Sequence, residues 1–431
     1  MMQLVIIAGG KGSRLGNLDV PKPMVKVAGK PLLEYQIELA KRYGFTDIII
    51  LIGFKSEQII DYFGDGSSWQ VNISYSVEKE PLGTAGSLKL VEQRINGRFM
   101  VFYGDTMMDI NLKKLVEYDL LMPSVGTLLC HPNDHPYDSD IIQINEGSND
   151  ILRFHSKPHD NNVYKPNLVN AALYVLSEEI FKYIEDDKAS DFGKDIFPRV
   201  IAHGGKLLAY TTAEYIKDMG TPDRLAKVEH DLLSGKVALL NSENKRKAIF
   251  IDRDGVINKE VDNLRSIDEF ELISNVPDAL RIINNSNFLA IVITNQPVIA
   301  KGWCSFKELD EIHNKMCTEL GHHNVFLDRV YFCPHHPDLG FVGEVKELKI
   351  DCNCRKPKIG LIEKAVLDYN IDLSGSFFIG DSTSDIKTAV NAGIKSVLVR
   401  TGYAGRDDKY SVKPTLVCDD LLSAVERIVD L

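Results

Sequence analysis

The sequence predicts an α/β protein built from two Rossmann-like three-layer domains, and three observations predict it. Short apolar runs ending in Gly or Asp alternate with longer amphipathic stretches, the pattern of parallel strands joined by helices. A polar, charged stretch, LNSENKRK at 240–247, breaks that alternation, and a new strand opens directly after it. Each half then begins alike, with a strand running into a compact motif. At 431 residues the chain exceeds one ordinary core, so we expect domains at 1–235 and 247–431 joined by a linker at 236–246.

The expected strands are taken in chain order. QLVIIA (3–8), DIIILI (47–52) and FMVFY (99–103) read as buried strands of the first domain. IFI (249–251), AIVI (290–293), FFI (377–379) and SVLV (396–399) read as those of the second. In such sheets functional groups belong just after the C-terminal strand ends.

Composition narrows the function classes. A hydrophobic content of 44% with 26% charged residues is ordinary for a globular protein. The net charge of −11 argues against nucleic acid as a partner, since that binding relies on Lys and Arg. Small anions remain suitable ligands, because Lys11, Arg14, Lys22 and Lys26 gather near the start and Arg355, Lys356 and Lys358 gather later. The opening MMQLVIIAGGKGSRL has no basic leader region and too short an apolar run for a membrane span. A cytoplasmic protein without a membrane partner is therefore expected, with oligomerisation left open. Seven cysteines, an odd number, do not suit a disulfide framework in a reducing compartment.

In IIAGGKGSRL, Gly9, Gly10 and Gly12 come after a strand where backbone N–H groups can approach phosphate oxygens. The dinucleotide fingerprint fails at Leu15 and the Walker A pattern fails at Gly12. A longer succession of motifs is more specific: GSRLGNLDVPKPM, EPLGTAGSL, FYGDTMMDI, SKP, VNAALY and KDMGTPDRL occur in that order. This series resembles the sugar-1-phosphate nucleotidyltransferases over about 1–232. The resemblance implies a GT-A-like domain in which Gly9, Gly10, Gly12 and Ser13 line the nucleotide, and Arg14 and Lys22 hold the triphosphate and the attacking phosphate. It also implies that Asp105 and Asp218 bind Mg²⁺, that Gly83 and Thr84 lie against the base, and that Lys157 and Asn170 bind the sugar phosphate and sugar hydroxyls. Two departures bear on the sugar: Ser156 stands where the family usually has Glu, and Ala172 where it often has Gly.

The second half opens with DRDGVIN, placing Asp252 and Asp254 two residues apart. On an extended segment such residues share a side, so both carboxylates can face one phosphoryl group. One can attack phosphorus while the other moves the proton. VITNQ, CRKP and FFIGDSTSD come next, and the order resembles the haloacid-dehalogenase (HAD) type phosphatases over about 247–405. By that resemblance Asp252 is the nucleophile and Asp254 the acid/base. Thr294 and Lys356 hold the phosphoryl oxygens, Asn295 and Arg355 contact substrate, and Asp252, Asp254 and Asp381 surround a second Mg²⁺. Asp385 could support the metal or simply cap the next helix, and the cap is the expectation. Within the group, FIDRDGVIN, TNQ and C-x-H…C-x-C-R-K-P most resemble heptose-1,7-bisphosphate and histidinol-phosphate phosphatases, with TNQPVIAKG replacing the common TNQSGIARG.

Cys333 with His335, and Cys352 with Cys354, form two i, i+2 pairs able to present their donors to one point. Three thiolates and an imidazole suit a closed structural Zn²⁺ site, with unligated thiols, a disulfide or a catalytic thiol as the alternatives. Such a metal would brace the loop leading into Arg355 and Lys356. The resemblances together imply a bifunctional enzyme whose small-molecule substrates are a nucleoside triphosphate and heptose phosphates. The second half would remove the 7-phosphate of a heptose 1,7-bisphosphate, and the first would activate the heptose 1-phosphate with a nucleotide, GTP being our choice. A second reading keeps both chemistries with another sugar or histidinol phosphate, and a third makes one half a catalytically silent binding module.

Overall fold

The computed structural model describes residues 2–10, 19–145, 147–160 and 163–430; Lys11, Gly12, Ser13 and Arg14 lie outside them. The backbone divides into two compact units, one of residues 1–131, 138–159 and 168–241, the other of residues 132–137, 160–167 and 242–431. Within the stretch expected as a linker, Lys236–Leu239 is helical and belongs to the first unit.

The first unit is built on a nine-stranded mixed sheet. Strand β1 (Gln3–Ala8) lies between β2 (Asp47–Ile52) and β4 (Phe99–Tyr103), parallel to both, and β3 (Asn72–Val77) flanks β2. Leu4, Ile6, Ile48 and Ile50 fill the core on one face, while Val5, Ile49, Leu51 and Val101 fill the other. This two-residue alternation of uniformly apolar side chains is what a sheet covered on both faces demands. β9 (Val169–Leu176) runs antiparallel to β4 and to β6 (Gly126–His131). β6 in turn pairs in parallel with β10 (Leu207–Thr211). β7 (Ile141–Ile144) and β8 (Ile151–His155) form the far hairpin. A separate ribbon pairs β5 (Thr106–Asp109) with β11 (Tyr215–Asp218), setting Asp218 opposite Thr106.

The second unit has a six-stranded parallel sheet in the order β14 (Arg329–Cys333), β13 (Phe288–Asn295), β12 (Lys247–Ile251), β15 (Phe377–Gly380), β16 (Lys395–Val399), β17 (Leu416–Cys418). The chain leaves β12 toward β13 and β14, then returns to its other side through β15. The strand order therefore reverses beside β12, where the carboxyl ends of β12, β13 and β15 open a crevice. Asp252, Thr294 and Asp381 stand there because each ends or directly succeeds one of those strands.

Candidate active sites and a candidate metal centre

In the second unit a cavity of about 470 Å³ is lined by Asp252, Asp254, Thr294, Gln296, Lys356, Asp381 and Asp385, among others. Lys356 Nζ lies 2.8 Å from Asp252 Oδ1 and 2.6 Å from Asp385 Oδ1, with all three side chains buried. Carboxylate oxygens of Asp252, Asp381 and Asp385 fall within 4.8 Å of one another. Three acids around one lysine leave negative charge uncompensated in a buried place. Burial and Asp385 accordingly push the Asp252 carboxyl up to about 7, against the pull of Lys356. Burial, Asp385 and Asp252 push Asp381 up to about 9. Burial disfavours a charged Lys356, yet Asp252 and Asp385 outweigh it and hold its pKa above the usual range. Hard oxygen donors with excess negative charge fit a divalent cation.

Asp254, expected among the ligands of that cation, is not in this acidic group. Its carboxylate accepts from Arg253 Nη2 at 2.8 Å to both oxygens, from Asn258 Nδ2 at 3.0 Å and from Gln296 Nε2 at 2.8 Å. Burial acts to raise its pKa, but Arg253 and these donors hold it below the ordinary carboxylate range. Asp385 completes the capping box of the helix Thr383–Ala392, accepting from Ser382 N at 3.1 Å, and it also receives Lys356. Asn295 exchanges two hydrogen bonds with the backbone of Lys356, at 3.0 and 3.2 Å, so it positions the lysine. Thr294 Oγ1 accepts from Gln296 at 3.0 Å, and Arg355 Nη1 donates to His335 O at 3.3 Å.

The cysteine and histidine pairs meet. Cys354 Sγ lies 3.1 Å from Cys352 Sγ, 3.2 Å from Cys333 Sγ and 3.3 Å from His335 Nδ1. Cys333 Sγ lies 3.5 Å from Cys352 Sγ and 3.7 Å from His335 Nδ1. These are the edges of a small tetrahedron of donors, and every cysteine is free. Hydrogen bonds from its neighbours, Cys333 first, draw the Cys354 thiol down to about 5 even though burial opposes this, so a thiolate is already favoured. The donor set fits one metal ion.

In the first unit, β1 runs into Gly9, where a Cβ would fall 2.1 Å from Glu78 Oε1, while Gly10 faces open space. Lys22 is buried and reaches Asp105 Oδ2 at 2.5 Å. The β5–β11 ribbon brings Asp218 beside Asp105, whose carbonyl accepts from Met219 N at 3.0 Å. Arg224 holds Asp218 through 2.9 and 3.0 Å bonds and also reaches Asp138 at 2.6 Å. Each acid thus faces a cation already, so a divalent metal would have to enter with the added negative charge of a triphosphate. Thr84 Oγ1 donates to Asp191 at 2.9 Å, and Gly83, at φ +73°, abuts Ser190 O. Lys157 Nζ donates to Asp138 O at 2.8 Å, and Asn170 Nδ2 to Tyr174 Oη at 3.0 Å.

Sequence reasoning passed over Arg253, Gln296, Arg224 and Asp191. Arg253 and Gln296 had a signal, since each sits inside a quoted motif next to a chosen residue. Asp191 had none, because only folding brings it to Thr84. Among the described residues no helix is long and apolar enough to cross a membrane.

Residues 3–235 match the family model described as nucleotidyl transferase, and residues 353–424 match the one described as HAD-hydrolase-like. The chain is 42% identical over 161 residues to a D-glycero-alpha-D-manno-heptose-1,7-bisphosphate 7-phosphatase of Photorhabdus laumondii, covering 37% of this chain and 86% of that protein. It is 38% identical over 161 residues to the corresponding beta-anomer phosphatase of Haemophilus ducreyi, with the same 37% and 86% shares. It is 32% identical over 253 residues to a mannose-1-phosphate guanyltransferase of Saccharomyces cerevisiae, covering 57% of this chain and 67% of that protein.

Proposed function

The chain belongs to the nucleotidyl transferase family through residues 3–235 and carries a HAD-type phosphatase domain, and from this we propose that it makes a nucleotide-activated heptose in two steps. The phosphatase domain hydrolyses the 7-phosphate of D-glycero-D-manno-heptose 1,7-bisphosphate. The nucleotidyltransferase domain then transfers GMP from GTP to the heptose 1-phosphate and releases pyrophosphate. The observation that carries the reading is the convergence of Asp252, Thr294, Lys356 and Asp381 in one cavity, in a chain that spans most of two heptose-bisphosphate phosphatases. Guanine is favoured by the likeness to a mannose-1-phosphate guanyltransferase.

In the phosphatase step an Asp252 oxygen attacks phosphorus, and the bond from phosphorus to the sugar oxygen breaks as that oxygen takes a proton from Asp254. Water then attacks the aspartyl phosphate and gives its proton to Asp254, releasing inorganic phosphate and free Asp252. Lys356 and Thr294 orient the phosphoryl oxygens. A Mg²⁺ held by Asp252 and Asp381, with Asp385 behind, would supply charge compensation between nucleophile and substrate. Arg253 and Gln296 hold the Asp254 carboxylate ionised in the free protein, the form the water step needs; the proton that Asp254 passes to the sugar oxygen would enter with the substrate as its phosphate monoanion.

In the transferase step the sugar phosphate oxygen attacks the α-phosphorus, and the bond to the β-phosphate bridging oxygen breaks. Positioning and charge neutralisation carry this reaction. Lys22 and Arg14 take the phosphates, Gly83 and Thr84 the base, and Lys157 and Asn170 the sugar phosphate. Mg²⁺ would enter with the triphosphate between Asp105 and Asp218. Zn²⁺ would be held by Cys333, His335, Cys352 and Cys354 and would fix the loop before Arg355 and Lys356 without touching substrate.

The test is incubation with each anomer of synthetic heptose 1,7-bisphosphate, Mg²⁺ and each nucleoside triphosphate in turn, with products read by phosphorus NMR. Release of the 7-phosphate and formation of GDP-heptose are expected; no release from either anomer would overturn the pathway reading. Asp252→Asn should stop phosphate release and spare nucleotide transfer, and Asp105→Asn should do the reverse.

A further inference from the structure

Ser156 leaves the sugar pocket one carboxylate short of its family's usual pattern, and the fold sets another beside it. Asp140 directly precedes β7, and its carbonyl accepts from Asn170 N at 3.0 Å, tying it to the strand that carries the expected sugar-binding asparagine. Burial and Asp191 hold the Asp140 carboxyl above the usual carboxylate range, against the pull of Lys157 and Lys194. Gly193 is the shared neighbour: a Cβ there would fall 2.1 Å from Asp140 Oδ2, while Ser156 Oγ donates to Gly193 O at 3.4 Å. The carboxylate and the short serine therefore meet over Gly193, where a Cβ would displace the Asp140 carboxylate.

Asp140 Oδ1 is buried, and among the described residues it has no hydrogen-bond partner; Ser190 Oγ nearby is in the same condition. Asp191, the other acid of this corner, is fully engaged by Thr84 Oγ1 at 2.9 Å, Gly193 N at 2.9 Å and Lys194 N at 3.2 Å. A buried acceptor left without a donor is costly, so its retention beside Lys157 and Asn170 calls for a donor that arrives with the ligand. Sugar hydroxyls are such donors.

We propose that Asp140, through Oδ1, accepts a hydrogen bond from a ring hydroxyl of the bound sugar 1-phosphate and so sets sugar specificity in place of the carboxylate absent at Ser156. The inference rests on the nucleotidyl-transfer function proposed for the first domain. Asp140 touches substrate but takes no part in bond making. A site built to satisfy one hydroxyl discriminates strongly against an analogue that lacks it, because the buried acceptor is then left unpaired.

The experiment measures nucleotide transfer by the full chain with the sugar 1-phosphate that the unmodified protein turns over fastest, and with its single-deoxy analogues. Asp140→Ala and Asp140→Asn are compared with the unmodified protein. For Asp140→Ala, KM for the sugar 1-phosphate should rise roughly tenfold or more while KM for GTP stays the same. One deoxy analogue that the unmodified protein binds poorly should be treated by Asp140→Ala like its parent. An unchanged KM for GTP and an unchanged near-UV circular dichroism spectrum and urea midpoint of the first domain verify that the variant is folded. Should Asp140→Ala fail that check, the isosteric Asp140→Asn carries the same comparison, with the deoxy discrimination reduced. An unchanged sugar KM with retained discrimination in both variants would overturn the proposal. Absence of transfer to any sugar 1-phosphate by the unmodified protein would instead overturn the function on which it rests.

Discussion

Lys356 shows how much one side chain can be asked to hold. It is the cation between Asp252 and Asp385, and all three are buried. Removing one partner of a buried ion pair leaves the others uncompensated, which costs roughly 3–5 kcal/mol. Lys356→Met should therefore abolish phosphate release and also lower the denaturant midpoint of the phosphatase domain, while nucleotide transfer persists. The acids beside it predict a pH dependence. Asp252 and Asp381 keep their protons up to about 7 and about 9 in the folded, magnesium-free protein, whereas unfolded aspartates lose theirs near pH 4. The folded state thus binds more protons between these values, so its stability is greatest at low pH and falls as pH rises through 7 and then 9. Urea unfolding of zinc-loaded, magnesium-free protein at pH 5.5, 7 and 8.5 should show this decline, and added Mg²⁺ should stabilise most at the highest pH. A flat profile without Mg²⁺ would contradict the acidic site described.

At the scale of elements, two loops build the rim of the phosphatase cavity by touching backbone to backbone. Gly302, at φ +73°, lies so close to Gly343 that a Cβ would fall 1.9 Å from its carbonyl oxygen, and Val345 N donates to Ala300 O at 3.0 Å. Gly302→Ala must push the two loops apart and strain its own backbone, at a cost of about 2 kcal/mol or more. Its expected signature is a raised KM for the bisphosphate with binding of free phosphate less affected, read by steady-state kinetics and phosphate inhibition. The loop carrying the four cysteine and histidine donors behind that rim has little regular structure, its one helical segment being the short Lys346–Leu348 turn. Metal binding there offsets the entropy of ordering the loop. Stripping zinc with a chelator should raise hydrogen exchange over 334–354 and lower phosphatase activity, with nucleotide transfer restored once Mg²⁺ is resupplied. Metal analysis finding no zinc in protein purified without chelator would refute the site. Ala172 belongs to this scale as well: it sits at φ +57° beside an irregularity in the β6–β9 pairing, a conformation that glycine adopts more readily than alanine.

At the scale of the whole molecule, the two chemistries are consecutive, since the product of one domain is the substrate of the other. Two complete and separate sites predict that Asp252→Asn and Asp105→Asn proteins, each unable to convert heptose bisphosphate into nucleotide sugar, regain the conversion when mixed. The mixture should reach about half the rate of the same total amount of unmodified protein when each step is linear in its active enzyme. No recovery would mean that the intermediate does not pass through solution.

The sequence alone determined most of what can be named. Strand runs, the motifs at their ends and the two donor pairs were legible because local periodicity and short spacing are written in consecutive residues. The Asp252–Asp254 pair and the four cysteine and histidine donors stood out by their spacing, and Lys356 and Asp381 through the resemblance of their motifs; Asp385 was read as a helix cap in preference to a metal support, and it takes the third position of the capping box while also lying among the acids that could hold a metal. Only the tertiary structure decided which partners these residues take. Asp385 turns out also to receive Lys356 from another part of the chain. Asp254 is bound to Arg253 and Gln296 and stands outside the acidic group. Asn295 supports the lysine backbone, and Asp191 and Asp140 reach Thr84 and Gly193 from segments carrying no motif. The physical reason is the same in each case: hydrogen bonds and charge pairing depend on distance in space, and that distance is set by the sheets that bring remote strand ends to one edge.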